Sequence, residues 1–160
     1  MIYNRGVAKS PTVVDLTWLG DLTLCGSSDK ASMTLDSSGI AGPSPVQALG
    51  FALAGCMTMD VVYILKKGRQ PLHGLRAHLV AERAPEEPHR FVRLALHVIV
   101  EGDVPEDAVA RAIALSHEKY CSVWHSMRQD VAFSTTHEVR GRADGDVEYE
   151  DRGPESLSQA

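Results

Sequence analysis

Cysteine is scarce in this chain, with three residues in 160, at positions 25, 56 and 121. Three cysteines do not make a disulfide framework, so an apolar core holds the fold and a cysteine pair reads as redox-active rather than structural. An excess of positive charge is also missing. Lys and Arg total 16 against 21 acidic residues, the net charge is -5 and the basic residues are scattered, which leaves no electrostatic footprint for nucleic acid or an anionic membrane. The longest unbroken apolar run, Ala48 to Met57, is ten residues and Asp60 follows it, too short and too charged for a membrane span. There is no G-x-S-x-G nucleophile motif, no Gly-rich phosphate loop and no internal repeat. No signal-peptide pattern precedes the first strand-like segment, so a soluble, cytosolic protein is expected. What is present is ordinary globular composition, 44% hydrophobic and 23% charged. That suits one domain over residues 1–140. Residues 141–160 are acidic, Gly-containing and poor in apolar side chains, and are expected to be disordered.

The chain is organised around SPVQALGFALAGCMTMDVVYILKKG, from Ser44 to Gly68. Ser44 and Gln47 have the spacing of a capping box and Pro45 suits the first helical position. Lys66 and Lys67 suit the negative end of the helix dipole, and Gly68 is the expected left-handed stop. Between these ends only Gln47, Thr58 and Asp60 are strongly polar, so the helix is expected to be buried on most sides. A chain of this size has few elements to cover it all round, which implies a second subunit.

Short segments with partial alternation, Val13 to Trp18, Leu22 to Cys25 and Ala31 to Leu35, predict an antiparallel meander before this helix. After it, Leu72 to Arg83 and Phe91 to Val100 predict a hairpin around APEEPHR. Asp103-x-x-Glu106 is a second capping-box pattern, placing a helix start near Asp103. Ser116 to Gln129 is again helix-like, and Val131 to Val139 predicts a last strand. Hairpins outnumber crossovers, so the fold class is α+β with antiparallel sheets.

Chemistry is sought among the cysteines and histidines. Cys56 lies in the central helix and Cys121 in EKYCSV, and either can be a small buried hydrophobe. Cys25 has nothing nearby in sequence to activate it. Asp60, one turn beyond Cys56, raises a thiol pKa if it is close. His117, Cys121 and His125 are spaced by four, one stripe on an unbroken helix and a weak metal pattern. HEKYC lacks the second histidine of HExxH, so no metal is expected.

The segments PSPVQALGFALAGCMTMDVVYILKKGR and AIALSHEKYCSVWHSM resemble the OsmC/Ohr family, named for osmotically inducible protein C and organic hydroperoxide resistance proteins, in its OsmC-like branch. The resemblance spans roughly Val13 to Val139. It implies an intertwined homodimer in which two long central helices are wrapped by antiparallel six-stranded sheets. It also implies a cysteine peroxidase without a cofactor, acting on organic hydroperoxides and reset by an external dithiol. By carry-over Cys56 is the peroxidatic residue and Cys121 the resolving one. Phe51, Leu53, Met57 and Met59 would then line an apolar substrate pocket.

The chain also departs from the family pattern. Where the family has a Glu ten residues before the first cysteine, this chain has Val46, and the neighbouring Gln47 is neutral. Between Ser10 and Gln70 the sole arginine is Arg69, so the family's early Arg has no counterpart there; Arg5, or Arg69, Arg83 or Arg93 of a second subunit, are the candidates. Two functional classes follow: a thiol peroxidase, or a redox-sensing or apolar-ligand-binding module on the same fold.

Overall fold

The computed structural model describes residues 9–141, so the segment expected to be a disordered tail lies outside the described residues but for Gly141, as does Arg5. Three strands come first: β1 (Asp15–Gly20), β2 (Thr23–Ser28) and β3 (Ala31–Asp36). They form an antiparallel sheet in the order β1-β2-β3. Its two turns are closed by Asp21 and Asp29, both in the left-handed region at φ 43° and 53°, a conformation that Asp tolerates by bonding its own backbone.

The central helix α1 (Pro45–Lys67) starts where the sequence marks it. The Gln47 N–H donates to Ser44 Oγ at 3.3 Å and the Ser44 N–H donates to Gln47 Oε1 at 2.8 Å. The stop differs from the expectation. Gly68 keeps a right-handed φ of -74°, and the left-handed residue is Arg69 at φ 56°. Gln70 N–H reaches Leu65 O and Arg69 N–H reaches Lys66 O, both at 3.0 Å. This is a Schellman closure set one residue later than a glycine stop would put it.

The second sheet takes β4 (Leu72–Arg83), β5 (Phe91–Gly102) and β6 (Ala132–Arg140) in that order. β4 and β5 are the expected antiparallel hairpin, but β6 runs parallel to β5, with Arg93 opposite Ala132 and Val100 opposite Val139. The sheet is therefore mixed rather than antiparallel. The reason is the helical connection: a strand that returns through a crossover enters the sheet in the direction of the strand it left. That crossover contains α2 (Glu106–Leu115), a π-helical turn (Ser116–Tyr120) and α3 (Ser122–His125). The capping box expected at Asp103 does not form. Pro105 caps α2 with no side-chain bond and an extended ψ of 136°, and a residue before proline, here Val104, is pushed out of the helical region.

The core lies between α1, α2 and the second sheet. Leu53, Met57, Val61 and Leu65 form a stripe at four-residue spacing along α1. They meet Leu94, Leu96, Val98 and Val100, the inward alternate residues of β5, and Val109, Ala112 and Ile113 of α2. Truncating one such leucine costs about 2–5 kcal/mol. All-round burial of α1 is not found within one chain. Phe51 and Met59 are 69% and 73% exposed, and Leu49 and Tyr63 are open as well.

Candidate active site

Cys56 projects from the middle of α1, half-buried, with Asp60 one turn further along. The π-helical turn brings Cys121 to them. Its wide i to i+5 closure, with the Cys121 N–H on Ser116 O at 2.9 Å, ends the helical run, and Cys121 itself is extended at φ -68°, ψ 95°. The chain breaks stride there, so the Cys121 thiol caps α3 and accepts the Trp124 N–H at 3.4 Å. The result is a compact cluster. Both sulfurs and a carboxylate oxygen of Asp60 lie within 4.8 Å of one another. Buried Ser116 holds the carboxylate in place, its Oγ–H donating to Asp60 Oδ2 at 2.9 Å.

The two cysteines differ in setting. Cys121 is fully buried, and that desolvation pushes its thiol up to about 12 from an ordinary 9.0. The Trp124 N–H works the other way, while Cys56 and the Asp60 charge raise it further. Cys56 is more open. In kind, the first is a thiol kept protonated at rest and the second is the more exposed residue of the pair.

The expected pocket residues do not share a face. Leu53 and Met57 belong to the core stripe, whereas Phe51 and Met59 point outward. Residues at 53 and 57 fall on the opposite side of a 3.6-residue helix from those at 51 and 59, which the bare list of apolar names hides. Phe51 instead joins Val46, Gln47, Ala54, Leu79 and Arg83 around a groove of about 650 Å³ between the first half of α1 and β4. Of the candidate arginines, Arg83 lines this groove with its Nε–H on His89 O at 2.6 Å. Arg93 pairs with Glu82 at 3.5 Å, and Arg69 stands at the helix stop, where its backbone takes the left-handed conformation. The charges acting on Cys121 are those of Cys56 and Asp60, with no cation among them.

The His117/Cys121/His125 stripe is dissolved by the π turn, which changes the helical phase between its members. His117 stacks on Trp124 and meets the edge of Phe133, each with ring centroids 5.2 Å apart. Cys25 lies in β2 opposite Thr34, in the other sheet. Sequence reasoning missed Ser116 and the Trp124 N–H, since neither a serine nor a backbone group carries a signal until the π turn is known. Asp60 was visible as the residue one turn from Cys56.

The family model described as OsmC-like protein matches residues 36–136. Protein YhfA of Escherichia coli (strain K12) is 41% identical over 125 residues, spanning 76% of this chain and 93% of YhfA. Among solved structures, a hypothetical protein from Aquifex aeolicus VF5 aligns at TM-score 0.78 with 25% identity, over 84% of this chain and 100% of that one. An organic hydroperoxide resistance protein OsmC from Legionella pneumophila shares the fold at TM-score 0.64, with 15% identity over 83% of this chain and 100% of that chain.

Proposed function

The chain belongs to the OsmC-like protein family, and from that premise we propose that it is a thiol peroxidase that reduces organic hydroperoxides with Cys56 and Cys121. The observation that carries the reading is the approach of the two sulfurs to within 4.8 Å across two separate elements, close enough that a small rotation brings them to a bond of about 2.05 Å. The hydroperoxide resistance named for the Legionella relative supports the substrate class.

In the first step the Cys56 sulfur attacks the distal peroxide oxygen, the O–O bond breaks, and the alkoxide takes up the thiol proton and leaves as an alcohol. Cys56 becomes a sulfenic acid. Cys121 then attacks that sulfur. The S–S bond forms, the S–OH bond breaks, and the Cys121 proton leaves with hydroxide as water. Its raised pKa, near 12, suits a thiol that stays quiet until a sulfenic acid is beside it. An external dithiol resets the pair by exchange, without a cofactor, in a reducing cytosol.

The working form in this proposal is an intertwined homodimer with two central helices. Support comes from the apolar outer face of α1, where Phe51 and Met59 stand open in one chain. A partner laid on that face would also cover the groove beside Arg83 and complete its walls.

A second reading, a redox-sensing module with slow peroxide chemistry, is favoured by one observation: the charge beside the sulfurs is the Asp60 carboxylate rather than a cation. Hydroperoxide consumption coupled to dithiothreitol or a lipoyl reductant separates the two. Cys56→Ser abolishes turnover in the peroxidase, and Cys121→Ser consumes one oxidant and stalls as sulfenic acid. One equivalent of organic hydroperoxide removes two thiols per chain and yields a Cys56–Cys121 peptide about 2 Da lighter than its reduced parts. Single variants that turn over as fast as the parent would sink this reading.

A further inference from the structure

We propose that Cys56, Cys121 and Asp60 of the reduced protein form a binding site for a soft divalent cation, with Zn2+ the best fit. The proposal uses the cysteine pair of the thiol cycle but does not depend on its activity. Geometry comes first. Three donor atoms, two sulfurs and one carboxylate oxygen, already lie within 4.8 Å of one another. Around a tetrahedral zinc, with Zn–S about 2.3 Å and Zn–O about 2.0–2.2 Å, donors stand roughly 3.5–3.8 Å apart. The cluster therefore has to close by about 1.3 Å at most.

Charge points the same way. Asp60 is half-buried with no basic partner among the ion pairs of the described residues, so the donor cluster holds a carboxylate and two sulfurs with no cation beside them. A divalent cation supplies the missing positive charge. The surroundings also hold the donors in place. The Ser116 hydroxyl holds the Asp60 carboxylate through Oδ2 at 2.9 Å, and the Trp124 N–H steadies the Cys121 sulfur at 3.4 Å. Supporting bonds of this kind orient metal ligands and tune affinity. Two thiolates select zinc-like ions over Mg2+ or Ca2+, which take oxygen donors. Three protein donors leave a fourth position for water or a small thiol.

Binding exchanges two thiol protons for one ion, with no change of oxidation state. The disulfide has no thiolate to offer, so metal and oxidant exclude each other at this site. A zinc-loaded chain is thereby held out of the thiol cycle until a chelator or a competing thiol removes the ion.

The test uses the full-length chain, reduced and freed of metal, titrated with Zn2+ against a chromophoric chelator and with Co2+ as a spectroscopic probe. The expected result is one ion per chain, tetrahedral Co2+ bands with thiolate charge transfer, and loss of binding after oxidation to the disulfide. Asp60→Ala weakens Zn2+ at least about tenfold, and Ser116→Ala weakens it by about ten- to a hundredfold or less. Binding that persists in the oxidised chain or in a Cys56→Ser, Cys121→Ser double variant would overturn the proposal, as would unchanged affinity in Asp60→Ala. Should Asp60→Ala not fold, the parent's Co2+ spectrum decides, because absence of thiolate bands has the same force. Turnover measured on metal-free protein tests the peroxidase separately. Zinc binding without turnover refutes that function and leaves this site standing, and turnover without zinc binding does the reverse.

Discussion

The two sheets of this molecule each have three strands and have opposite relations to their own chain. In the second sheet, β5 buries every other residue from Leu94 to Val100 against α1 and α2. In the first, β1 is exposed along nearly its whole length, and Leu16, Trp18, Leu22 and Met33 are open. The same alternation rule, period two with one apolar face, yields a core in one case and an uncovered surface in the other. Contiguous exposed apolar side chains of this kind mark an interaction site rather than a finished surface. The outer face of α1 adds Phe51 and Met59 to it. One half of the chain is thus self-sufficient, and the other has the chemistry of half an interface, which is why the proposed homodimer draws on the first sheet and α1 together.

The comparison breaks most directly in the self-sufficient half. Leu94→Ala, at a fully buried position, is expected to cost about 2–5 kcal/mol in urea unfolding. Leu16→Ala in β1, measured at a concentration low enough to keep the chain monomeric, is expected to cost less than about 1 kcal/mol. Equal losses would mean that the first sheet has a core of its own.

Next in size is the interface. Glutamate at both Phe51 and Met59 leaves the core stripe of Leu53, Met57, Val61 and Leu65 untouched, because those four face the other way. Light scattering is expected to return a 17.4 kDa chain for the double variant and twice that mass for the parent. The parent's advantage is about 1.5–3 kcal/mol for each large side chain fully covered. A charged residue at Leu53 acts differently, destroying the fold of the single chain. A parent that is monomeric at micromolar concentration would remove the homodimer altogether.

A smaller effect is expected at the junction between the two halves. Buried Asp36 ends β3, and its carboxylate accepts the backbone N–H groups of Ser38, Ile40 and Ala41 and the Ser38 hydroxyl. The Ala41 N–H leads in holding its pKa down at about 2 from 3.8. A depressed carboxyl stabilises the fold above its ordinary pKa, and that contribution is lost as the pH falls from about 4 towards 2. Acid titration of the parent should therefore show a loss of stability in this window that is absent in Asp36→Asn, which is already weakened at neutral pH. Coincident acid profiles would show that the junction does not depend on this carboxylate.

Much of the fold was legible because its signals are local. The capping box of α1 needs only Ser44 and Gln47, and the β4–β5 hairpin needs only two strand patterns and a proline-rich turn. The misses share a cause, which is that nonlocal geometry decides them. β6 is parallel because of where the crossover delivers it, and α2 starts at Glu106 because Pro105 forbids an earlier turn. For the site, the two cysteines and Asp60 were visible as residues, but their meeting depends on a π turn at Ser116–Tyr120 that has no simple sequence mark. The pocket residues failed for a plainer reason: four apolar names on one helix occupy two faces.

The smallest expected effect concerns the third cysteine, and it divides the two halves by chemistry. Cys25 sits mid-strand in β2, paired in register with Thr17 and Thr34 and only partly buried. Its sheet supplies no second thiol, whereas Cys56 and Cys121 share a cluster under 4.8 Å across with Asp60. Proximity and not thiol content should therefore decide which cysteines react, since a bridge needs Cα atoms within about 7 Å. Cys25→Ser swaps one small side chain for another on a half-open strand and is expected to shift stability by no more than about 0.5 kcal/mol. The number of thiols lost to one equivalent of hydroperoxide, two per chain, should be the same in the parent and in Cys25→Ser, and peptide mapping of the parent should find Cys25 reduced. A loss of only one thiol in Cys25→Ser would place Cys25 in the reacting pair, and the division between a reactive half and an interface half would have to be abandoned.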